Sequence, residues 1–309
     1  MNFITVTALY GNAKGLSSMN KLAGFIRLMR PANCLMMGFA VMVGAALANK
    51  AALSSNFLPN LFYGFFTGFL LTAASMAIND YYDREIDAVN EPSRPIPSGL
   101  IKPKEALIFA FTLSVLGFIT AFANSYLTNL QSIYCFLVAM IAWLIFVAYT
   151  TVGKRSGLPG NFLVSACVAI PFIYGSFAVT SALEPNILIF VLMVFLSNTG
   201  REITKGIADV QGDRMQNVKT LAVKYGERRA AAAASLFYVL AVLLSPVPLI
   251  MQLVSFWFIP FVLVTDFGLV ASSIMLIRDY SRENARKIKN YALLWFMSGL
   301  LAFVFGAFW

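Results

Sequence analysis

Histidine is absent from all 309 residues, which removes His-ligated zinc and haem, the Ser-His-Asp arrangement and imidazole general-base catalysis together. Cysteine is nearly as scarce. Cys34, Cys135 and Cys167 stand isolated in apolar surroundings, the setting of inert buried thiols rather than of a disulfide framework. Charge is in short supply as well: charged residues make up 12% of the chain and hydrophobic ones 59%, where soluble domains carry about 25% charge. Any chemistry therefore falls to carboxylates, amides, Tyr, Lys or Arg.

What fills the chain instead is uncharged sequence, in runs 31–49, 51–79, 106–153, 156–183, 230–265 and 290–309. A spanning helix needs roughly 20 apolar residues, so several runs hold two. Asn124 to Asn129 and Ser245-Pro246-Val247-Pro248 supply the reversals inside the long ones, both being turn chemistry. The reading is an all-α integral membrane protein, one multi-pass domain over 1–309. Its nine spans are expected near 31–49, 59–79, 105–123, 132–152, 160–179, 185–204, 229–247, 253–277 and 289–308. Residues 1–30 lack a signal-peptide layout, and Gly15 to Arg30 reads as an interfacial amphipathic helix.

The sparse charges are unevenly placed. The N-terminal segment and the connections after spans two, four, six and eight hold 22 of the 23 Lys and Arg, leaving Lys50 alone on the other side. Basic residues concentrate on the cytoplasmic side of membrane proteins, so a cytoplasmic N-terminus, an external C-terminus and a site opening to the cytoplasmic side are expected. The net charge of +9 is explained by this bias and does not indicate nucleic acid.

Against that background two acidic motifs stand out: Asn79-Asp80-Tyr81-Tyr82-Asp83-Arg84-Glu85-Ile86-Asp87, and Asp209-Val210-Gln211-Gly212-Asp213. Both fall in expected cytoplasmic loops. Asp83 and Asp87, like Asp209 and Asp213, are four apart and share a face on a helix. Residues 79–91 hold five acids against Arg84, a local charge of −4. Magnesium favours one or two carboxylates together with water and substrate phosphate oxygens, so the expected partner is a phosphate or diphosphate. Its counter-charges are Arg94, Lys154, Arg155, Lys205 and Lys219, Arg and Lys being the phosphate-pairing residues. The motifs follow spans two and six, and Asn79, Asp83 and Asp87 have the same spacing as Lys205, Asp209 and Asp213. That repeat suggests a duplicated four-helix unit with a ninth helix added.

The first motif, the following Asn90-Glu91-Pro92-Ser93-Arg94-Pro95-Ile96-Pro97-Ser98-Gly99, and Asp209 to Asp213 leading into Lys219-Thr220-Leu221 resemble the UbiA superfamily of intramembrane prenyltransferases. The likeness runs over essentially the whole chain. It implies nine helices around a central cavity, with helical cap loops carrying the two Asp motifs, a Mg2+ cofactor and an isoprenyl diphosphate donor. Asn79, Asp83, Asp87, Asp209 and Asp213 would hold the metal, and the four aspartates would carry the catalysis. Arg94, Lys154, Arg155 and Lys219 look like diphosphate contacts, and Tyr149 resembles a family tyrosine.

Arg30-Pro31-Ala32-Asn33-Cys34-Leu35-Met36 and Gly200-Arg201-Glu202-Ile203-Thr204-Lys205 look most like the archaeal digeranylgeranylglyceryl phosphate synthases. The acceptor implied is a glycerol-phosphate lipid, and Gly206 and Ala208 depart from positions often acidic in that group. Asn33 is expected to meet the cavity, Arg30 and Arg201 to hold an acceptor phosphate, and Glu202 or the diphosphate to take the acceptor's proton. Asp266, in the middle of span eight, belongs to no motif. An aromatic acceptor is the alternative within the enzyme class. A transporter is the alternative outside it, opposed by acids lying away from the bilayer midplane where transport sites sit.

Overall fold

The computed structural model describes residues 21–128, 132–215 and 217–307. Among them, nine helices are long and apolar enough to cross a membrane. They are α1 (Pro31–Ala48), α2 (Leu58–Asn90), α3 (Pro103–Tyr126), α4 (Tyr134–Thr151), α5 (Leu158–Thr180), α6 (Ile187–Ala208), α7 (Glu227–Leu244), α8 (Phe258–Arg278) and α9 (Arg282–Ala307). Residues 21–29 are helical too. The expected interfacial helix begins at Gly15, so its first part lies outside the described residues, as does the last residue expected of span nine.

Large apolar side chains such as Phe111, Leu144 and Phe267 face outward and are at least 60% exposed. In water that would be costly. On a bundle of spanning helices it is the lipid-facing surface, because helices satisfy their own backbone and leave side chains to meet the hydrocarbon. The buried interior is made of tight contacts between small residues and of ring clusters, as where Phe303 packs edge-on against Phe190 with centroids 5.0 Å apart.

The neighbour relations α1–α2, α2–α3 and α3–α4 recur as α5–α6, α6–α7 and α7–α8, while α9 packs on α8, α6 and α1. That is the arrangement expected of a repeated unit plus one helix. The two units meet along α1 and α5. A Cβ on Gly175 would lie 2.2 Å from the Val41 carbonyl oxygen, and one on Gly44 would lie 2.4 Å from the Phe172 carbonyl oxygen. Small residues allow this close approach of two spanning helices.

Two helices differ from expectation in ways that matter to the site. The first acidic motif is no loop: α2 continues for 33 residues to Asn90 and stops just before Pro92, whose ring disfavours helix in the residue ahead of it. Span nine begins at Arg282 rather than near 289, so the basic residues of that stretch sit on a helix face. The second motif is helical except at its first residue. Asp209 ends α6 with φ −102° and ψ 7°, and a short helix, Val210–Met215, follows.

Candidate functional site

The end of α2 assembles most of the charge. Asn79 Nδ2 donates to Asp83 Oδ2 at 2.7 Å, and the i to i+4 spacing puts Asp83 and Asp87 on one face with it. Each aspartate is met by a base from another part of the chain. Lys154 pairs with Asp83, Arg94 Nη1 lies 2.5 Å from Asp87 Oδ2, and Arg30 Nη2 lies 2.5 Å from Asp80 Oδ1. All four of Asn79, Asp80, Asp83 and Asp87 are buried, and a buried carboxylate needs such partners.

Local backbone chemistry places the bases. Arg94 stands in the turn-rich Pro92 to Pro97 stretch, where the Glu91 carbonyl accepts from its backbone N–H at 3.0 Å. Arg30 adopts a left-handed φ of 53° at the break between the helical residues 21–29 and α1, a conformation uncommon for a residue other than glycine. Lys154 rides on the 3-10 turn Gly153–Ser156. That turn ends at Gly157 with φ 76°, where a Cβ would come within 2.5 Å of the Lys219 carbonyl oxygen. Only glycine fits there, so the Lys154 turn and the chain leaving the second motif are in direct contact.

In the second motif the backbone N–H of Asp213 reaches the Asp209 carbonyl at 3.1 Å, which keeps the i to i+4 relation across the helix break. Lys289 Nζ lies 3.7 Å from Asp209 Oδ1 and also 3.7 Å from Glu91 Oε1, so α9 links the two motifs. The Asp213 carboxyl is pushed up to about 7, first by burial and then by Asp209 and Asp83, against the pull of Lys154 and Lys205. Among the described residues no three acidic side chains are drawn together as a ready cation cage. Their negative charge is shared out among Arg and Lys instead.

Beside these groups lies a cavity of about 630 Å³. Its polar end carries Asn79, Arg94, Arg201, Glu202 and Lys205, and its apolar end is lined by Met37, Leu71, Val138, Trp143 and Phe146 among others. Asn33 and Tyr149 also line it, with Asn33 Nδ2 3.8 Å from the Met76 sulfur. At the deep end, Thr67 and Tyr174 join the wall, with the Tyr174 hydroxyl donating to Thr67 Oγ1 at 3.3 Å and accepting from Asn124 Nδ2 at 3.1 Å. Glu202 is buried between two cations, its oxygens 3.1 Å from Arg201 Nη1 and 3.4 Å from Lys205 Nζ.

The structure thus brings together Asn79, Asp83, Asp87, Arg94 and Lys154, and separately Arg201, Glu202 and Lys205. Arg155 and Lys219 are exposed on the adjoining turns. Three residues were not anticipated as site residues: Asp80, Arg286 and Lys289. Asp80 sits inside the first motif and carried its signal openly. Arg286 and Lys289 line the cavity, and their signal was spacing, since with Asn290 they occupy one face of a helix. Asp266 Oδ2 accepts from Ser245 Oγ at 2.6 Å and faces a second, smaller cavity of about 100 Å³.

Comparison with known proteins is consistent over nearly the whole length. The UbiA prenyltransferase family matches residues 37–305. A digeranylgeranylglyceryl phosphate synthase of Archaeoglobus fulgidus is 36% identical over 301 residues, covering 94% of this chain and 99% of that protein. Among solved structures, one of a digeranylgeranylglyceryl phosphate synthase is 31% identical, with a TM-score of 0.68, and covers 93% of this chain and 98% of its own. A UbiA homolog from Archaeoglobus fulgidus bound to DMAPP and Mg2+ shares the fold at 17% identity, with a TM-score of 0.61 over 91% of this chain and 99% of that one.

Proposed function

Because the chain belongs to the UbiA prenyltransferase family, and so is a multi-pass membrane enzyme, we propose that it transfers a geranylgeranyl group from its diphosphate to the free hydroxyl of geranylgeranylglyceryl phosphate. One observation carries the reading: Asn79 and three bases paired with the two acidic motifs, Arg30, Arg94 and Lys289, line the polar end of a cavity whose other end is apolar. A prenyl diphosphate has that same division of charge along its length. The likeness to digeranylgeranylglyceryl phosphate synthases at 36% identity over nearly full length supports the acceptor.

The residues fit magnesium. The donor set is oxygen and amide only, as a hard cation requires, and Asp213 of the second motif lies within electrostatic reach of Asp83 of the first. Asn79, Asp83, Asp87, Asp209 and Asp213 would hold the ion. When bound, magnesium supplies Lewis-acid stabilisation of the leaving diphosphate.

The chain's own groups account for the rest. Arg94, Lys154 and Lys205 face the diphosphate, with Arg155 and Lys219 on the approach to it, and stabilise the charge that grows on the leaving oxygen as the allylic carbon–oxygen bond breaks. Trp143, Phe146 and Tyr149 line the cavity, where their ring faces stabilise the allylic cation and the walls keep water from it. The acceptor hydroxyl oxygen then bonds to that carbon and releases its proton. Glu202 is a weak candidate for that proton, because both its oxygens are engaged by Arg201 and Lys205. The departing diphosphate is the better base, and Glu202 serves to hold the two cations in place.

The positive-inside distribution supports a cytoplasmic N-terminus, an external C-terminus and donor entry from the cytoplasmic side. The test is prenyl transfer in detergent from labelled geranylgeranyl diphosphate, offered geranylgeranylglyceryl phosphate or an aromatic acid, with and without magnesium. Transfer to the glycerophosphate lipid that is lost without magnesium and in Asp83→Ala and Asp209→Ala is the expected result. Transfer to the aromatic acid alone would keep the chemistry and overturn the acceptor.

A further inference from the structure

The donor reading gives α9 only the contact of Lys289 with Asp209, although this helix stands outside the repeated unit and contributes a full wall. Arg286, Lys289, Asn290, Leu293 and Phe296 line the large cavity, and Phe296, Gly299, Leu300 and Phe303 line the small one. Successive spacings of three or four put these residues on one stripe of the helix. Along it the chemistry changes from cationic to apolar over 17 residues, about 25 Å at the helical rise. The two cavities adjoin, since Met36, Met37, Val168 and Phe296 belong to both linings.

The polar end of this wall is cationic. Arg201, Lys205, Arg286 and Lys289 line it together with Glu202 and Glu91. Glu202 is shared by Arg201 and Lys205, and Glu91 is shared by Arg286 at 3.5 Å and Lys289 at 3.7 Å, while Lys289 also reaches Asp209. A phosphate monoester carries about −1.5 to −2 at pH 7, and Arg201, Arg286 and Lys289 present three bases to it within one lining.

We propose that α9 is the track of the acceptor: Arg286 and Lys289, faced by Arg201, take the phosphate of the glycerophosphate lipid, and its chain runs past Phe296 into the small cavity beside Met36, Met37 and Phe303. The proposal rests on the transfer reaction proposed above and adds where the second lipid binds. It separates the two chains, each on its own wall, with the acceptor headgroup held at the cavity's polar end beside the donor diphosphate. The backbone supports that placement, since Arg201 Nε donates to the Lys289 carbonyl at 3.3 Å and so fixes α6 against α9 at the level of the phosphate.

Two variants of the full chain in detergent test it. Arg286→Gln, which leaves the Lys289–Asp209 contact in place, is expected to raise the KM for geranylgeranylglyceryl phosphate at least tenfold while the donor KM stays within twofold. The same variant is expected to lose the rise in melting temperature that this acceptor produces without donor or magnesium. Gly299→Leu fills the small cavity, and position 299 has room, because a Cβ there meets only Thr265 at 3.5 Å. It is expected to raise the KM for the geranylgeranyl acceptor at least tenfold and leave a glycerophosphate bearing a single five-carbon chain within twofold. Equal rises in donor and acceptor KM, an unchanged acceptor KM, or indifference of Gly299→Leu to chain length would each overturn the track. Wild-type transfer to an aromatic acid alone would overturn the underlying reaction and the track with it.

Discussion

Arg94 Nη1 lies 2.5 Å from Asp87 Oδ2 and 3.4 Å from Asp80 Oδ1, so one guanidinium closes the end of α2 onto two carboxylates of the first acidic motif. The pair sets two roles against each other. Asp87 is proposed to hold a cation and Arg94 a diphosphate, and each role is served only when their mutual contact loosens.

Removing the guanidinium separates these roles. In Arg94→Ala, Asp87 no longer has a competing partner, so half-maximal activation should need less magnesium. The donor loses a charge-assisted contact of about 1.5–3 kcal/mol, which corresponds to a donor KM about ten- to a hundredfold higher. Steady-state kinetics over a magnesium titration reads both numbers. A magnesium requirement that rises along with the donor KM would mean that Arg94 helps to build the cation site rather than compete for it.

The Lys154–Asp83 pair makes a second prediction. Breaking a buried pair from one side leaves a charge without its partner, at about 3–5 kcal/mol for full burial. The Lys154 side chain is 20% exposed, so the cost should be nearer about 2 kcal/mol. Lys154→Met should therefore lower the melting temperature in detergent, and adding Asp83→Asn should restore most of it. Activity should stay lost in the double variant, because the donor contact and the metal ligand are both gone. Recovery of activity together with stability would remove Asp83 from the metal set.

Much of this site could be read before the structure was known, and what could not has a common cause. Hydropathy marks where lipid is, not where a helix ends. α2 was expected to stop near Asn79, where the apolar run stops, yet its backbone continues to Asn90 because nothing breaks it before Pro92. The spacing of Asn79, Asp83 and Asp87 already showed that continuation. The start of α9 was hidden in the same way, since Arg282 to Lys289 look like a loop when judged by charge. On a helix, Arg286 and Lys289 fall in line with Leu293 and Phe296. Arg30 and Asp80 are 50 residues apart, and nothing in either segment specifies a pairing that only the packing of α1 on α2 creates.

The pH dependence of stability should carry the signature of Asp213. Its carboxyl is raised from the ordinary 3.8 to about 7, chiefly by burial, so the folded state favours the protonated form. An acid shifted upward contributes stability that is fully present below its unfolded value and is lost as pH climbs through its folded one. Without magnesium, the wild-type chain should lose stability between about pH 4 and pH 7 relative to Asp213→Asn, which has no such proton to release. Thermal unfolding in a chelator at pH 5 and pH 8 measures the gap. A gap that is the same at both values would mean that Asp213 is ionised throughout.

The close approach of α1 and α5 predicts a contrast between two glycines that look alike in the sequence. A Cβ on Gly175 would sit 2.2 Å from the Val41 carbonyl oxygen and 2.5 Å from the Ala45 backbone nitrogen, whereas one on Gly206 meets nothing nearer than Thr220 at 3.5 Å. Backbone atoms cannot turn aside as a side chain can, so Gly175→Ala must push the two helices apart. Val41 and Tyr174 line the deep end of the cavity, directly beside this contact, so the displacement alters the cavity as well as the packing. Gly175→Ala is expected to lower the melting temperature in detergent by several degrees, with overpacking costing about 1–3 kcal/mol, and to cut turnover with geranylgeranyl diphosphate. Gly206→Ala should leave both unchanged within error, although it lies three residues from Asp209. If Gly175→Ala proved as silent as Gly206→Ala, the two four-helix units would not be joined as tightly as the α1–α5 contact requires.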